Sequence, residues 1–212
     1  MDHTWLNSTE PTIVYIGDPM CSWCYGMAPT LTEIQQRLPD HSFEIVLGGL
    51  RPGGTEFLHE MGDFLDHHWK EVEKRTGQPF TYDILKKEGI VVDTEPSCRA
   101  VVVARNMDKL KSFAFFKAVQ HAFYVKNKDM SDLETYLEIA GELGLDSGDF
   151  AERFEAEDTR YETRSDFQLA AEMGISGFPS IILRHKDQLY LAANGYRSAE
   201  DLLAVIERIR QE

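Results

Sequence analysis

Two thiols three residues apart dominate the chemistry available to this chain. They are Cys21 and Cys24 in the stretch Asp18-Pro19-Met20-Cys21-Ser22-Trp23-Cys24-Tyr25-Gly26. A cysteine pair at that spacing can close to a disulfide and reopen, passing two electrons by way of a mixed disulfide. The same spacing also serves as half of a zinc site, or as two inert core residues. A tetrahedral structural zinc needs two more soft ligands. The remaining cysteine, Cys98, stands alone, and no histidine lies at ligand spacing from it. Redox exchange is therefore the expected role, and no metal is expected.

That chemistry needs a rigid mount. The apolar run Thr12-Ile13-Val14-Tyr15-Ile16 precedes the pair, and Leu31, Ile34 and Leu38 follow it at helical spacing. The pattern is strand, tight loop, helix, with the cysteines where the helix begins. Positions i and i+3 share one side of a helix, which lets the two sulfurs approach bonding distance. The unpaired N–H groups and the positive end of the helix dipole face Cys21. Both favour the thiolate, the form that attacks a disulfide. Cys24, one turn deeper, is expected to be less exposed and placed to resolve a mixed disulfide.

The 212 residues are enough for one large domain, or one domain carrying a sizeable insertion. Hydrophobic residues make up 42% and charged ones 27%, so a core can form without staples. A net charge of −14, from 36 acidic against 22 basic residues, argues against nucleic acid and against anionic membrane surfaces. Met1 to Asn7 has neither the basic nor the apolar region of a secretory signal. Apolar runs stay below membrane-spanning length. The expected location is the cytoplasm, where structural disulfides are rare. A mature secreted form would read the same way.

Along the chain, residues 12–17 read as a buried strand and Phe43 to Leu47 as a second, joined by a helix through Leu38. Such a strand–helix–strand unit makes a parallel pair. From Leu50 to about Asp158 the pattern turns helical. Thr55 is positioned to cap a long helix carrying Phe57, Leu58, Met61, Phe64, Leu65, Trp69 and Val72. Further helices follow Pro96 and run from Phe113 to Tyr124. Ser131-Asp132-Leu133-Glu134 has the form of a capping box, and 146–157 reads as a shorter helix. From Thr159 alternation returns: a helix ending at Met173-Gly174, a hairpin over Ile181 to Ala193, and a last helix capped at Ser198. The expected division is a domain built from 10–50 and 159–212, with 51–158 inserted as a helical subdomain.

Strand, cysteine helix, strand, then helix, Gly177-Phe178-Pro179, hairpin and helix is the order of a thioredoxin fold. A helical block between the halves is where DsbA-like proteins carry theirs. The stretch Asp18 to Gly26 and the segment Thr94-Glu95-Pro96-Ser97-Cys98-Arg99-Ala100 resemble the cytoplasmic DsbA-like branch of FrnE-like proteins and predicted protein-disulfide isomerases. The resemblance implies an α/β thioredoxin fold (DsbA-like) with a helical insertion. It also implies a thiol–disulfide oxidoreductase, reductase, isomerase or oxidase, that acts without a cofactor. Matched position by position, Cys21 attacks and Cys24 resolves. Pro179 is held in cis beside them, leaving the backbone of Phe178 to pair with an extended substrate. The implied partners are protein or peptide thiols and disulfides, with glutathione or a thioredoxin system as redox partner. Oligomeric state is left open.

One departure stands out. Thioredoxins keep a buried carboxylate six residues before the first cysteine, to take the proton of the resolving thiol. Here that position is Tyr15, a far weaker base near neutrality. Asp18 is the nearest carboxylate by sequence and has loop capping as its alternative role, which leaves water as another acceptor.

Other residues carry weaker signals. Cys98 begins the helix after Pro96 beside Arg99, so it is a candidate auxiliary thiol. A small buried residue on an amphipathic face is the simpler reading. Trp23 is expected to be exposed, touching an unfolded substrate or packing across the loop. His59, Asp63 and His67 recur every four residues, with His68 alongside, a pattern more often solvated than metal-binding. Phe113 to Phe123 reads as core packing more readily than as groove lining. Two other functions belong to DsbA-like folds: glutathione-dependent isomerases and kappa-type transferases, and adaptors that present regulators to proteases. The first uses a single activating Ser or Cys, and a resolving thiol at Cys24 would intercept its glutathione adduct.

Overall fold

The computed structural model describes residues 4–8 and 10–211, so Met1 to His3, on which part of the signal-peptide argument rested, lie outside the described residues. Four strands form one mixed sheet in the order β2-β1-β3-β4. They are β1 (Thr12–Gly17), β2 (Ser42–Leu47), β3 (Ser180–His185) and β4 (Gln188–Asn194). β1 pairs in parallel with β2 and antiparallel with β3, and β3 forms a hairpin with β4. Every residue of β1 is buried, as a strand covered on both faces must be. Its side chains alternate between two cores. Ile13 and Tyr15 join the large apolar cluster that also holds the helices of the middle of the chain. Val14 and Ile16 join a smaller one with Trp5, Val46, Ala170 and Ile182.

The helix expected after the cysteines is two helices. α1 (Ser22–Gly26) stops at Met27 and α2 (Ala28–Arg37) begins immediately after it. The cause is Pro29, which has no N–H to give to the carbonyl of Tyr25 four residues back. That carbonyl accepts from the side-chain amide of Gln78 at 3.0 Å instead. α1 also lies close to α3 (Gly62–Thr76): a Cβ on Gly26 would sit 2.9 Å from Val72.

The long helix expected from Thr55 starts later. Phe57 is extended and pairs antiparallel with Val91, flanked by Leu58 N–H to Ile90 O at 2.8 Å and Val92 N–H to Glu56 O at 2.9 Å. These backbone bonds compete with the helix, which forms only after a 3-10 turn over Leu58–Met61. The remaining helices are α4 (Glu95–Met107), α5 (Ser112–Tyr124), α6 (Leu133–Glu142), α7 (Ser147–Glu155), α8 (Glu157–Glu172) and α9 (Ala199–Arg210). Asp132, not Ser131, caps α6, accepting from Glu134 N–H at 3.0 Å, because the Ser131 hydroxyl is bound to Asp129. Ser198 caps α9 as expected, through Asp201 N–H.

α4 and α8 are tied to the sheet by a buried ion pair. Arg105 donates to both oxygens of Asp166, at 2.7 and 3.2 Å, and Asp166 accepts from Leu47 N–H at the end of β2. No helix among the described residues is long and apolar enough to cross a membrane.

Candidate active site

The loop after β1 delivers Cys21 to the N-cap position of α1, held by its own N–H to Asp18 O at 3.1 Å. Cys21 is 6% exposed and Cys24, one turn on, is fully buried. Both are free thiols. Burial pushes the Cys24 thiol well above its ordinary range, and the neighbouring Cys21 pushes it further. The Tyr15 hydroxyl and the Asp18 main-chain N–H oppose that rise.

Phe178 and Pro179 arrive from the other half of the chain. Their peptide bond is cis, and the Cys21 thiol donates to the Phe178 carbonyl oxygen at 3.6 Å. The Phe178 ring covers Gly48, where a Cβ would fall 2.1 Å from a ring carbon. Of the sequence-derived candidates, the fold thus brings Cys21, Cys24, Phe178 and Pro179 together. Trp23 is half-buried rather than exposed, because its ring packs edge-on against His68 and at a tilt against Tyr196, with centroids 6.1 and 6.0 Å away.

Asp18 is a fully buried knot. One oxygen accepts from Met20 N–H at 2.8 Å. The other accepts from Leu50 N–H at 2.7 Å and from the Cys98 thiol at 3.4 Å. Burial raises its carboxyl above the ordinary range, and the donors, including Thr94, pull it back down. With both oxygens engaged, Asp18 fastens three segments: the cysteine loop, the turn after β2 and the start of α4. The same contact bears on Cys98. Its thiol is pushed well up by burial and by Asp18, the reverse of an activated nucleophile.

A cleft of about 310 Å³ opens beside Cys21. Met20, Trp23, Leu58, Leu65, Phe123 and Phe178 form its walls, and Arg51, His68 and Thr94 are among its polar members. Phe64 and Leu50 stand at its mouth, 66% and 50% exposed. Sequence reasoning missed Gly48, Leu50 and Thr94 as parts of the site. As a sequence signal, the Gly48-Gly49 pair after β2 marks only the end of a strand. The aromatic run of α5 divides: Phe115 and Phe116 are core, whereas Phe123 reaches the cleft. His59 lies in the 3-10 turn ahead of α3, so it does not share a helix with Asp63 and His67. Among the described residues no group of three or more such side chains could hold a metal.

Comparison with known proteins identifies the family and the fold. The model of the DSBA-like thioredoxin domain matches residues 12–207. A candidate protein disulfide isomerase from Nitrosomonas europaea is 36% identical, superposes with a TM-score of 0.87, and the match covers 95% of this chain and 98% of that one. The cytosolic disulfide reductase DsbM from Pseudomonas aeruginosa is 27% identical with a TM-score of 0.79, over 95% and 100% of the two chains. Among curated proteins, the ClpXP adapter protein SpxH of Bacillus subtilis is 20% identical over 186 residues. That match spans 84% of this chain and 61% of the length of SpxH. The chain belongs to the DSBA-like thioredoxin domain family, a family of thiol–disulfide oxidoreductases.

Proposed function

We propose that this protein reduces disulfides in polypeptide substrates through the Cys21–Cys24 pair. The reading rests on one observation: Cys21 sits between an apolar cleft and the Phe178 carbonyl, with Cys24 buried a turn behind it. The Cys21 sulfur attacks one sulfur of the substrate disulfide, and the other leaves as a thiol after taking a proton. Cys24 then attacks the Cys21 sulfur, releasing the second substrate thiol and leaving Cys21 and Cys24 joined. Two enzyme thiols are oxidised and one substrate disulfide is reduced.

The cleft favours a substrate with a large apolar side chain next to its cysteine, because its walls and mouth are mostly hydrocarbon. The Phe178 backbone offers such a peptide a partner for strand-like pairing. For regeneration we propose a small thiol, glutathione, since a structure of DsbM was solved with GSH. DsbM is described as a cytosolic reductase, which supports the reductive direction and a cytoplasmic location here.

The test is insulin-disulfide reduction. Cys21→Ser is expected to abolish turnover, and Cys24→Ser to accumulate a mixed disulfide at Cys21. Undiminished turnover in both variants removes the proposal.

A further inference from the structure

The charge of the cleft runs against the charge of the chain. Asp and Glu supply 36 of the 212 residues, and the net charge is −14. Yet none of the described residues that line the cleft is acidic, and among them Arg51 is the one permanent cation. A chain of that net charge repels an anionic substrate at a distance, so binding one takes a cation placed in the site itself.

Arg51 is fixed there by the contacts that also fix Cys21. Asp18 accepts from Leu50 N–H at 2.7 Å through a side-chain oxygen, and from Cys21 N–H at 3.1 Å through its main-chain oxygen. Arg51, next after Leu50, donates its own N–H to Thr94 Oγ1 at 3.0 Å. Its carbonyl oxygen accepts from Thr94 N–H at 3.1 Å. Asp18 and Thr94 are both buried, so two interior anchors hold the Arg51 backbone against the cysteine loop and the start of α4.

The Arg51 side chain is held less tightly. Its guanidinium lies 3.7 Å from Met61 Sδ and pairs with Glu56 Oε1 at 2.9 Å. The two members of that pair are 37% and 54% exposed. An ion pair so placed adds little to stability, because solvent screens it and two long side chains must be ordered. Exchanging the Glu56 carboxylate for another therefore costs little. Arg51 and Met61 line the cleft and Glu56 does not, so the guanidinium is shared between the cleft and an acid outside it.

We propose that Arg51 binds a carboxylate of the substrate, and that Glu56 holds the guanidinium in place until that carboxylate displaces it. The inference rests on Cys21 as the attacking thiol and adds a substrate class to that reading: disulfides with a carboxylate close to the sulfur. The planar guanidinium suits such a group, to which it donates two parallel hydrogen bonds. An acidic residue beside a peptide cysteine supplies the carboxylate, and so does glutathione disulfide.

The experiment measures the second-order rate constant for reaction of the reduced protein with two peptide disulfides that differ only in Glu or Gln beside the cysteine. The unaltered protein is expected to favour the Glu peptide about fivefold, the size of a partly exposed ion pair. Taking the ratio of the two rates cancels any general loss of fold or reactivity. Arg51→Gln should abolish the preference, and Arg51→Lys, a point charge without the fork, should keep part of it. Glu56→Gln removes the competing carboxylate and should raise the ratio about twofold. Glutathione disulfide against its carboxyl-methylated ester forms a second arm. A preference confined to that arm assigns the carboxylate to glutathione, and one confined to the peptides assigns it to a polypeptide. No preference in either arm, or one that survives Arg51→Gln, overturns the proposal. So does a ratio that fails to rise in Glu56→Gln. Cys21→Ser in the same assay reports separately on the parent reading: reaction that needs Cys21 but shows no preference removes this proposal alone.

Discussion

The Cys21 Sγ and the Phe178 carbonyl oxygen lie 3.6 Å apart across 157 residues of chain. That pairing holds the exposed edge of the thiol against a backbone group that can also receive a substrate strand. Gly48, at the end of β2, is what allows it: the Phe178 ring occupies the space a Cβ would take.

Gly48→Ala should therefore displace Phe178 and lower kcat/KM on peptide disulfides by about tenfold, since misplacing a reacting group by roughly 1 Å can cost up to a hundredfold. A double-mutant cycle checks the cause. In a Phe178→Leu background, where the ring is gone, the added cost of Gly48→Ala should largely vanish. Equal costs in both backgrounds would contradict the assigned relationship.

The cleft makes a prediction about substrates. Phe64→Ser removes an exposed apolar group from its mouth. KM should rise about three- to tenfold for peptides with Phe or Leu beside the cysteine, from roughly 1 kcal/mol of lost apolar contact. A small symmetrical disulfide that never reaches Phe64 should be reduced at the unaltered rate. A loss shared equally by both substrates would point to misfolding instead.

Cys98 should be chemically silent. Its thiol is buried, bonded to Asp18 and raised by both. In timed alkylation read by mass spectrometry, Cys21 should label first. Cys98 should label only as denaturant unfolds the protein. Removing its thiol in Cys98→Ala should cost about 1 kcal/mol, because Asp18 keeps its other donors. Rapid native-state labelling of Cys98 would show that it is activated after all.

Asp18 should leave a mark on the pH dependence of stability. Burial raises its native titration point above that of the unfolded chain. Between the two, the native state binds more protons than the unfolded state, so stability falls as pH rises. The stability of the unaltered protein relative to Asp18→Asn should thus be greatest below about pH 4, decline as pH passes through the raised native value, and then level off. Urea unfolding at a series of pH values measures this. A difference that stays flat, or grows with pH, would reverse the assigned direction.

Much of this molecule could be read from local order. The apolar run Ile13, Val14, Tyr15 and Ile16, the Cys21–Cys24 spacing and the Ser198 cap each depend on residues within a turn or two of one another. Local backbone geometry acts at that range, so a linear pattern suffices. The rest depended on groups that meet only once the chain is folded. Pro29 breaks the first helix locally, but only the fold brings Gln78 to the carbonyl that the break releases. The bonds between residues 56–58 and 90–92 took the first turns from the helix expected at Thr55. Burial drove the largest titration shifts, and burial belongs to the packed molecule. From the sequence came two thiols, their helix and the family they resemble. Tertiary packing decided which thiol faces the cleft and which carboxylate is engaged as a structural tie, because desolvation and long-range contact exist only in the folded state.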